Sequence, residues 1–458
     1  MTRRQRGGAL LAALIALIVA LSAAIYFAVA LDDGTRARTG DGGQVRGSAV
    51  PESTGLWVGT WSASPVAAEP GTRASGLAGR SVRNVVHTSV GGTSARVTLS
   101  NLFGRAPLTL THASVALAAD GAGAAAEPGT MRRLTFGGRT TVVVPPGGQA
   151  VSDPAALTVP YDADVLVTTY SPTPSGPVTH HPRARQISYA AAGNRVGDLT
   201  GTAFTEQVDA WRYLTALDVL TDQADGTVVA LGDSLTDGFS SSVGENRRWT
   251  DVLARRLREA AEDGRDVPRY GVANQGISGN RVLADGLVGQ VTSPVGEGRP
   301  GVGTDGFAVD NPSGLNRFER DVLGRANVRV VVVDLGVNDI LRDPRLADPD
   351  RILAGLRAMA GRAHGHGVKV VGATLMPFGG HPGYTDAREE VRQRINAGIR
   401  GGRVFDAVAD FDEALRDPYD PRRLAAEYDC GDHLHPSDRG YARMADALDL
   451  TTLSPPPP

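Results

Sequence analysis

Hydrophobic and polar positions along this chain fall into three successive patterns. The first is an uncharged run from Gly7 to Leu31, with Arg3, Arg4 and Arg6 before it and Asp32 and Asp33 after it. About twenty apolar residues suffice to cross a bilayer as a helix, and flanking arginines keep their own side cytoplasmic. Residues 1–31 therefore read as a signal-anchor or a signal peptide. Ala28-Val29-Ala30 offers a small-residue cleavage site, and a retained anchor is preferred over cleavage. Residues 32–55 are rich in Gly, Arg and Asp with no apolar period, which predicts a flexible linker.

The second pattern covers residues 56–218. Short runs such as "SVRNVVHTSV", "SARVTLSNLFG", "LTLTHASVALA", "TTVVVPPG" and "ADVLVTTYSP" are separated by "GGTS", "PPGG" and "PTPSGP". Val97 and Leu99 alternate with Arg96, Thr98 and Ser100, the period of a half-buried strand. With no long amphipathic helix here, an all-β sandwich of jelly-roll type is predicted.

The third pattern covers residues 226–453 and alternates strands with helices. "TVVALGDS", "RYGVANQG", "VRVVVVDLG", "GVKVVGATL" and "GRVFDAV" are apolar runs of strand length. Between them, "WTDVLARRLREAAEDG", "DPDRILAGLRAMAGRAHGHG" and "TDAREEVRQRINAGIRGG" have helical spacing. Alternation of this kind predicts an α/β fold with a flavodoxin-like doubly wound parallel sheet, which binds ligands at the carboxyl ends of its strands. A Gly-rich insertion at 284–314 reads as a mobile loop or flap near that edge. Residues 454–458 are a Pro-rich tail.

Composition narrows the picture. A length of 458 residues favours more than one domain, and a net charge of −3 gives no sign of a nucleic-acid partner. Lys369 is the only lysine, so basic charge is almost all arginine. Cys430 is the single cysteine, which excludes an intrachain disulfide and a thiolate metal cluster. No H-E-x-x-H, P-loop or Rossmann glycine pattern occurs, and no metal or cofactor is implied. His180, His181, His364 and His366 read as surface histidines, and Trp57, Trp61 and Trp211 as core aromatics.

Polar clusters interrupt the predicted strand ends. They are Gly232-Asp233-Ser234, Asn274-Gln275-Gly276 continuing to Asn280, and Gly336-Val337-Asn338-Asp339. A fourth, Asp432-His433-Leu434-His435, precedes the last helical segment. Serine needs a base to take its proton, histidine suits that task, and the imidazole needs an acceptor to fix its tautomer. Asp432 lies three residues before His435, a spacing that lets the carboxylate meet the ring's inner nitrogen while the outer one faces Ser234. The N–H groups of Ser234 and Gly276 and the amide of Asn338 are candidate oxyanion donors. Alone, Ser234 could open a helix and Asn338-Asp339 could make a turn. Asp233 reads as a loop-ordering residue, His433 as an exposed loop residue and Cys430 as a small filler.

In this order, "GDSL", "NQGISG", "GVND" and "DHLH" resemble the four blocks of the SGNH/GDSL hydrolase superfamily, over roughly residues 226–450. The upstream "WVGTW" and "SVGGTSARVTLSNLFG" look like the β-rich amino-terminal domain of its secreted bacterial members. The resemblance implies Ser234 as nucleophile, Asp432 and His435 as its partners, and Gly276 and Asn338 as oxyanion donors. It implies an exported serine esterase acting on a small-molecule or polysaccharide ester, with membrane contact through residues 7–31 if they are uncleaved. Two other readings stand beside it: a catalytically inactive cell-surface carbohydrate-binding protein, and an acyltransferase using the same triad.

Overall fold

The computed structural model describes residues 55–121, 123–286, 311–343 and 346–454. The expected membrane segment, the linker up to residue 54, most of the insertion and residues 455–458 lie outside these. Among the described residues no helix is long and apolar enough to cross a membrane.

Residues 56–221 form mainly antiparallel sheets. One has four strands in the order Leu56–Ser62, Leu214–Thr221, Ser94–Ser100, Gln149–Val151. The larger has six and is centred on the pair Arg80–His87 and Asp164–Ser171. The alternation read at Val97 and Leu99 points both inward. There they join Val58, Leu217 and Val219 against Val82, Val86, Val115 and Val167 of the larger sheet, in one buried cluster. A third sheet contains Thr179–Pro182, whose "THHP" carries no strand alternation; its pairing with Ala210–Arg212 comes from tertiary context.

Five strands make the second sheet system: β1 (Gly226–Gly232), β2 (Tyr270–Gly276), β3 (Val328–Asp334), β4 (Lys369–Ala373) and β5 (Ala407–Ala409). All pair in parallel, in the order β2-β1-β3-β4-β5. Val228 to Leu231 and Val330 to Val333 are buried, as strands covered on both faces must be. This is the doubly wound order read from the sequence, and it reverses direction between β1 and β3. The expected strand at "GRVFDAV" is shorter than its apolar run, pairing only over Ala407–Ala409.

Helices α1 (Ser234–Asp237), α2 (Trp249–Glu262), α3 (Gly314–Phe318) and α4 (Val337–Arg342) follow strand ends or connect them. Next come α5 (Pro349–His364), α6 (Asp386–Arg400), α7 (Phe411–Leu415) and α8 (Asp438–Ala447). Side chains cap several starts: Asp348 at α5, Thr385 at α6 and Ser437 at α8 each accept a first-turn N–H. α2 buries Trp249, Leu253 and Leu257 and packs against α8, while α5 packs against α6.

The β-rich region lies along the free edge of β2. Val272 N–H donates to Ser89 Oγ at 2.8 Å and Gln275 Nε2 to Ser62 Oγ at 2.6 Å. An open strand edge invites pairing with another chain, and this contact closes it. The β-rich region thus reaches the strand ends where the polar clusters gather.

Candidate active site

β1 stops at Gly232, and Asp233 caps α1 by accepting the Leu235 N–H at 3.0 Å. Ser234 opens that helix at the carboxyl edge of the sheet, where its own N–H donates to no described group. Its Oγ lies 2.9 Å from His435 Nε2, and His435 Nδ1 lies 2.6 Å from Asp432 Oδ2. Asp432 Oδ1 also accepts the N–H groups of Leu434 at 3.0 Å and His435 at 2.8 Å. The three-residue spacing therefore closes a loop in which one carboxylate holds both backbone and ring. Partial burial would raise the Asp432 carboxyl, but the hydrogen bond and charge of His435 hold it far below the usual range. With Asp432 ionised, Nδ1 carries the proton and Nε2 accepts from the serine. The Phe239 ring, 4.4 Å from the imidazole, packs it in place.

Asn338, on α4, is buried beside this series. Its Oδ1 accepts from Arg342 Nε at 3.1 Å, and its Nδ2 has no hydrogen-bond partner among the described residues. That amide still lies close enough to Asp233 to oppose the rise of its pKa. Gly276 does not offer the serine a free N–H. Its N–H donates to Asn274 Oδ1 at 2.8 Å, and a Cβ there would fall 2.2 Å from the Asp237 backbone nitrogen. Gly276 is a close-packing glycine under α1. Gly279 stands where the expectation placed Gly276: it lines the cavity with Ser234 and Asn338, and its N–H donates to no described group. Its φ of +78° suits glycine.

Behind these groups lies a set of buried charges the sequence did not reveal. Asp237 Oδ2 accepts the Ser278 N–H at 3.0 Å and its hydroxyl at 2.6 Å, fixing the loop before Gly279. Arg317 is fully buried and donates to Gly232 O at 2.8 Å, Gln275 O at 2.6 Å and Asn280 Oδ1 at 3.0 Å. It also meets Asp321 Oδ2 at 3.2 Å, and burial lowers its pKa to about 10. Burial pushes the carboxyls of Asp334 and Asp339 up to about 6. Asp233 is also held well above its ordinary value, by burial and then by the charge of Asp334. It orders its loop through a backbone N–H, the role read from the sequence.

The serine opens into a cavity of about 500 Å³, whose walls include Arg183, Phe239, Leu341, Arg342, His381 and His433. His433 makes a second His–Asp pair, its Nδ1 being 2.7 Å from Asp429 Oδ2. Asp429, Cys430 and Asp432 bring possible metal-ligand atoms within 4.8 Å of one another, but both carboxylates already orient histidines. Cys430 is exposed and fills no core space, contrary to expectation. His180 and His181 are likewise buried, not on the surface: His180 Nδ1 lies 2.9 Å from Ala67 O within the β-rich region, whereas His181 reaches Asp237 of the second sheet system. His364 keeps to the surface, and Trp61 and Trp211 are core residues with ring centroids 4.9 Å apart.

A doubly wound α/β domain with a hydroxyl, an imidazole and a carboxylate in series beside its switch point has the layout of a serine-dependent hydrolase. Residues 230–443 match the model of the GDSL-like Lipase/Acylhydrolase family, and this part of the chain is a domain of that family. No curated protein matches the chain. Among solved structures, a GDSL-like lipase from Bacteroides thetaiotaomicron is 18% identical over 48% of this chain and 84% of its own, with a TM-score of 0.31. An acetylxylan esterase from Geobacillus stearothermophilus is 17% identical over 49% of this chain and 92% of its own, with a TM-score of 0.34.

Proposed function

We propose that the chain is an exported serine esterase that hydrolyses carboxylic esters through an acyl-enzyme. The observation that carries this reading is the unbroken series from Ser234 Oγ through His435 to Asp432, with contacts of 2.9 Å and 2.6 Å. His435 Nε2 takes the Ser234 proton as Oγ attacks the ester carbonyl. The oxyanion is held by the N–H groups of Ser234 and Gly279 and by Asn338 Nδ2. Collapse of the intermediate expels the alcohol, which receives the proton from His435. Water then gives a proton to His435 and attacks the acyl group, and Ser234 leaves with that proton. Asp432 remains ionised throughout.

The cavity supports small polar esters, a short-chain acyl ester or an O-acetyl group on a carbohydrate, because arginines and histidines make up much of its wall. The three amino-terminal arginines and the uncharged run at 7–31 support export, with that run as an anchor or a cleaved leader. The test is a p-nitrophenyl ester panel from acetate to palmitate, run with fluorophosphonate labelling read as a mass shift at Ser234. Turnover and labelling that both vanish in Ser234→Ala are expected. Wild-type-like turnover in that variant refutes the nucleophile.

A further inference from the structure

We infer that His181, contributed by the β-rich region, is a positioning residue for the oxyanion loop of the hydrolase domain. The inference rests on the esterase reading above and adds a function for the sandwich within it.

His181 sits in the strand Thr179–Pro182, 3% exposed, with its ring 5.4 Å from that of Trp211. Its Nδ1 is 2.7 Å from the carbonyl oxygen of Ser64 and its Nε2 is 3.0 Å from Asp237 Oδ1. A carbonyl only accepts, so Nδ1 carries a hydrogen. Asp237 meanwhile receives two donors from Ser278 on its other oxygen. Burial raises the Asp237 carboxyl, but His181, Ser278 and Arg248 together bring it below its ordinary value. An ionised Asp237 accepts at Oδ1 as well. The ring is thus held at both nitrogens, between a main-chain carbonyl and a buried carboxylate.

This pair sits at a junction. Asp237 ends the helix that Ser234 begins, and Ser278 directly precedes Gly279. One carboxylate thus joins the nucleophile's helix to the loop that presents the second N–H donor, and His181 fixes the plane of that carboxylate. Arg248 fastens the same β-rich segment from the other side, donating through Nε to Asp237 O at 3.0 Å and through Nη2 to Ala184 O. Without His181, Oδ1 is buried with no donor. The carboxylate then turns to find one, and the loop moves with it. Oxyanion donors act only within a few tenths of an ångström of their productive position, so the loss falls on the chemical step.

The test compares His181→Phe and His181→Gln in the full chain. Phenylalanine keeps the packing and removes both donors, whereas glutamine can still extend an amide N–H to Asp237 Oδ1. The expected result is a kcat lowered about 10- to 100-fold in His181→Phe, with KM within about threefold, and recovery to within about fivefold in His181→Gln. A purely structural role predicts equal losses in both variants, and that result overturns the inference. So does a folded His181→Phe variant with wild-type kcat. If His181→Phe fails to fold, His181→Gln decides alone: a kcat within about fivefold of wild type is expected, and a larger loss in the folded protein overturns the proposal. A wild-type protein that neither turns over p-nitrophenyl acetate nor labels at Ser234 sinks the esterase reading, and this inference with it. An active, labelled wild type with an equally active His181→Phe sinks the inference alone.

Discussion

Arg342 Nε donates to Asn338 Oδ1 at 3.1 Å, and this bond sets which end of the amide faces the cavity. With Oδ1 engaged, Nδ2 is the end left without a protein partner. Asn338→Ala is expected to lower kcat about 10²- to 10³-fold, the usual cost of one oxyanion donor. Arg342→Ala leaves the donor present and frees its rotation, so a loss of about tenfold is expected, equivalent to ~1.4 kcal/mol. The double variant should be no slower than Asn338→Ala, since Arg342 acts through the same amide. Single-turnover kinetics of the four proteins measure this, and additive losses would show that Arg342 works by another route.

Gly276 and Gly279 should fail in different ways. A Cβ at Gly276 falls 2.2 Å from the Asp237 nitrogen and 2.6 Å from its Cα, backbone that cannot yield without shifting α1. Gly276→Ala is therefore expected to cost about 3 kcal/mol or more of stability. At Gly279 the nearest atom is Arg342 Nη2 at 2.9 Å, the far end of a flexible side chain. The positive φ adds strain of about 1–3 kcal/mol, so Gly279→Ala should fold, with the larger loss in kcat. Thermal melts beside kcat for the two variants check the contrast.

That contrast also marks what could be read from the sequence. The strand ends were legible because buried parallel strands are continuous apolar runs that stop abruptly at polar residues, as Leu231 and Leu335 show. The pairing of Asp432 with His435 was legible because it is local. Choosing between the two glycines was not, since it depends on Asn274 having already taken the Gly276 N–H. The burial of His181 was hidden for a related reason. Its partner Asp237 lies 56 residues away, in the other sheet system, and no periodicity connects them. Arg317 and Asp321 were equally silent, since an arginine and an aspartate one helical turn apart are commonly a solvated pair.

Stability should fall as pH rises through the acid range, and Asp334 is one source. Burial lifts its carboxyl to about 6, against the opposing hydrogen bond from Thr236 Oγ1 at 2.8 Å. In the unfolded chain it titrates near ~3.9. Between these values the folded protein holds a proton that the unfolded chain has released. Raising pH across that window therefore removes stability, by up to about 3 kcal/mol for this group. Asp334→Asn keeps an acceptor for Thr236 and cannot ionise. Its Tm should fall less between pH 4 and 6 than that of wild type, and should be higher at pH 7. Asp339 offers no such gain, because its two oxygens accept the N–H groups of Val282 and Leu283 at 2.7 Å and 3.1 Å, and an asparagine keeps only one acceptor.

Arg317 ties the carboxyl ends of β1 and β2 together through Gly232 O and Gln275 O, and ties both to the β-rich region through Ser64 Oγ at 3.0 Å. Arg317→Met fills similar space but removes the donor to Gln275 O and Asn280 Oδ1, leaves Gly232 O with the Ile277 N–H at 3.1 Å, and leaves Asp321 with Arg320 as its remaining close guanidinium partner. A loss of about 3–5 kcal/mol is expected, as for breaking one side of a buried ion pair. Arg317→Lys separates charge from geometry. A lysine restores the charge beside Asp321, but its compact ammonium cannot span carbonyls on two strands and the side chain of Asn280 at once. If charge were what matters, lysine would recover most of the stability. The fork of bonds to the strand ends predicts instead that it recovers less than half. Because the same strand ends carry Ser234 and the Gly279 loop, kcat should fall with stability in both variants. Denaturant titration and kcat on each variant give the two readouts.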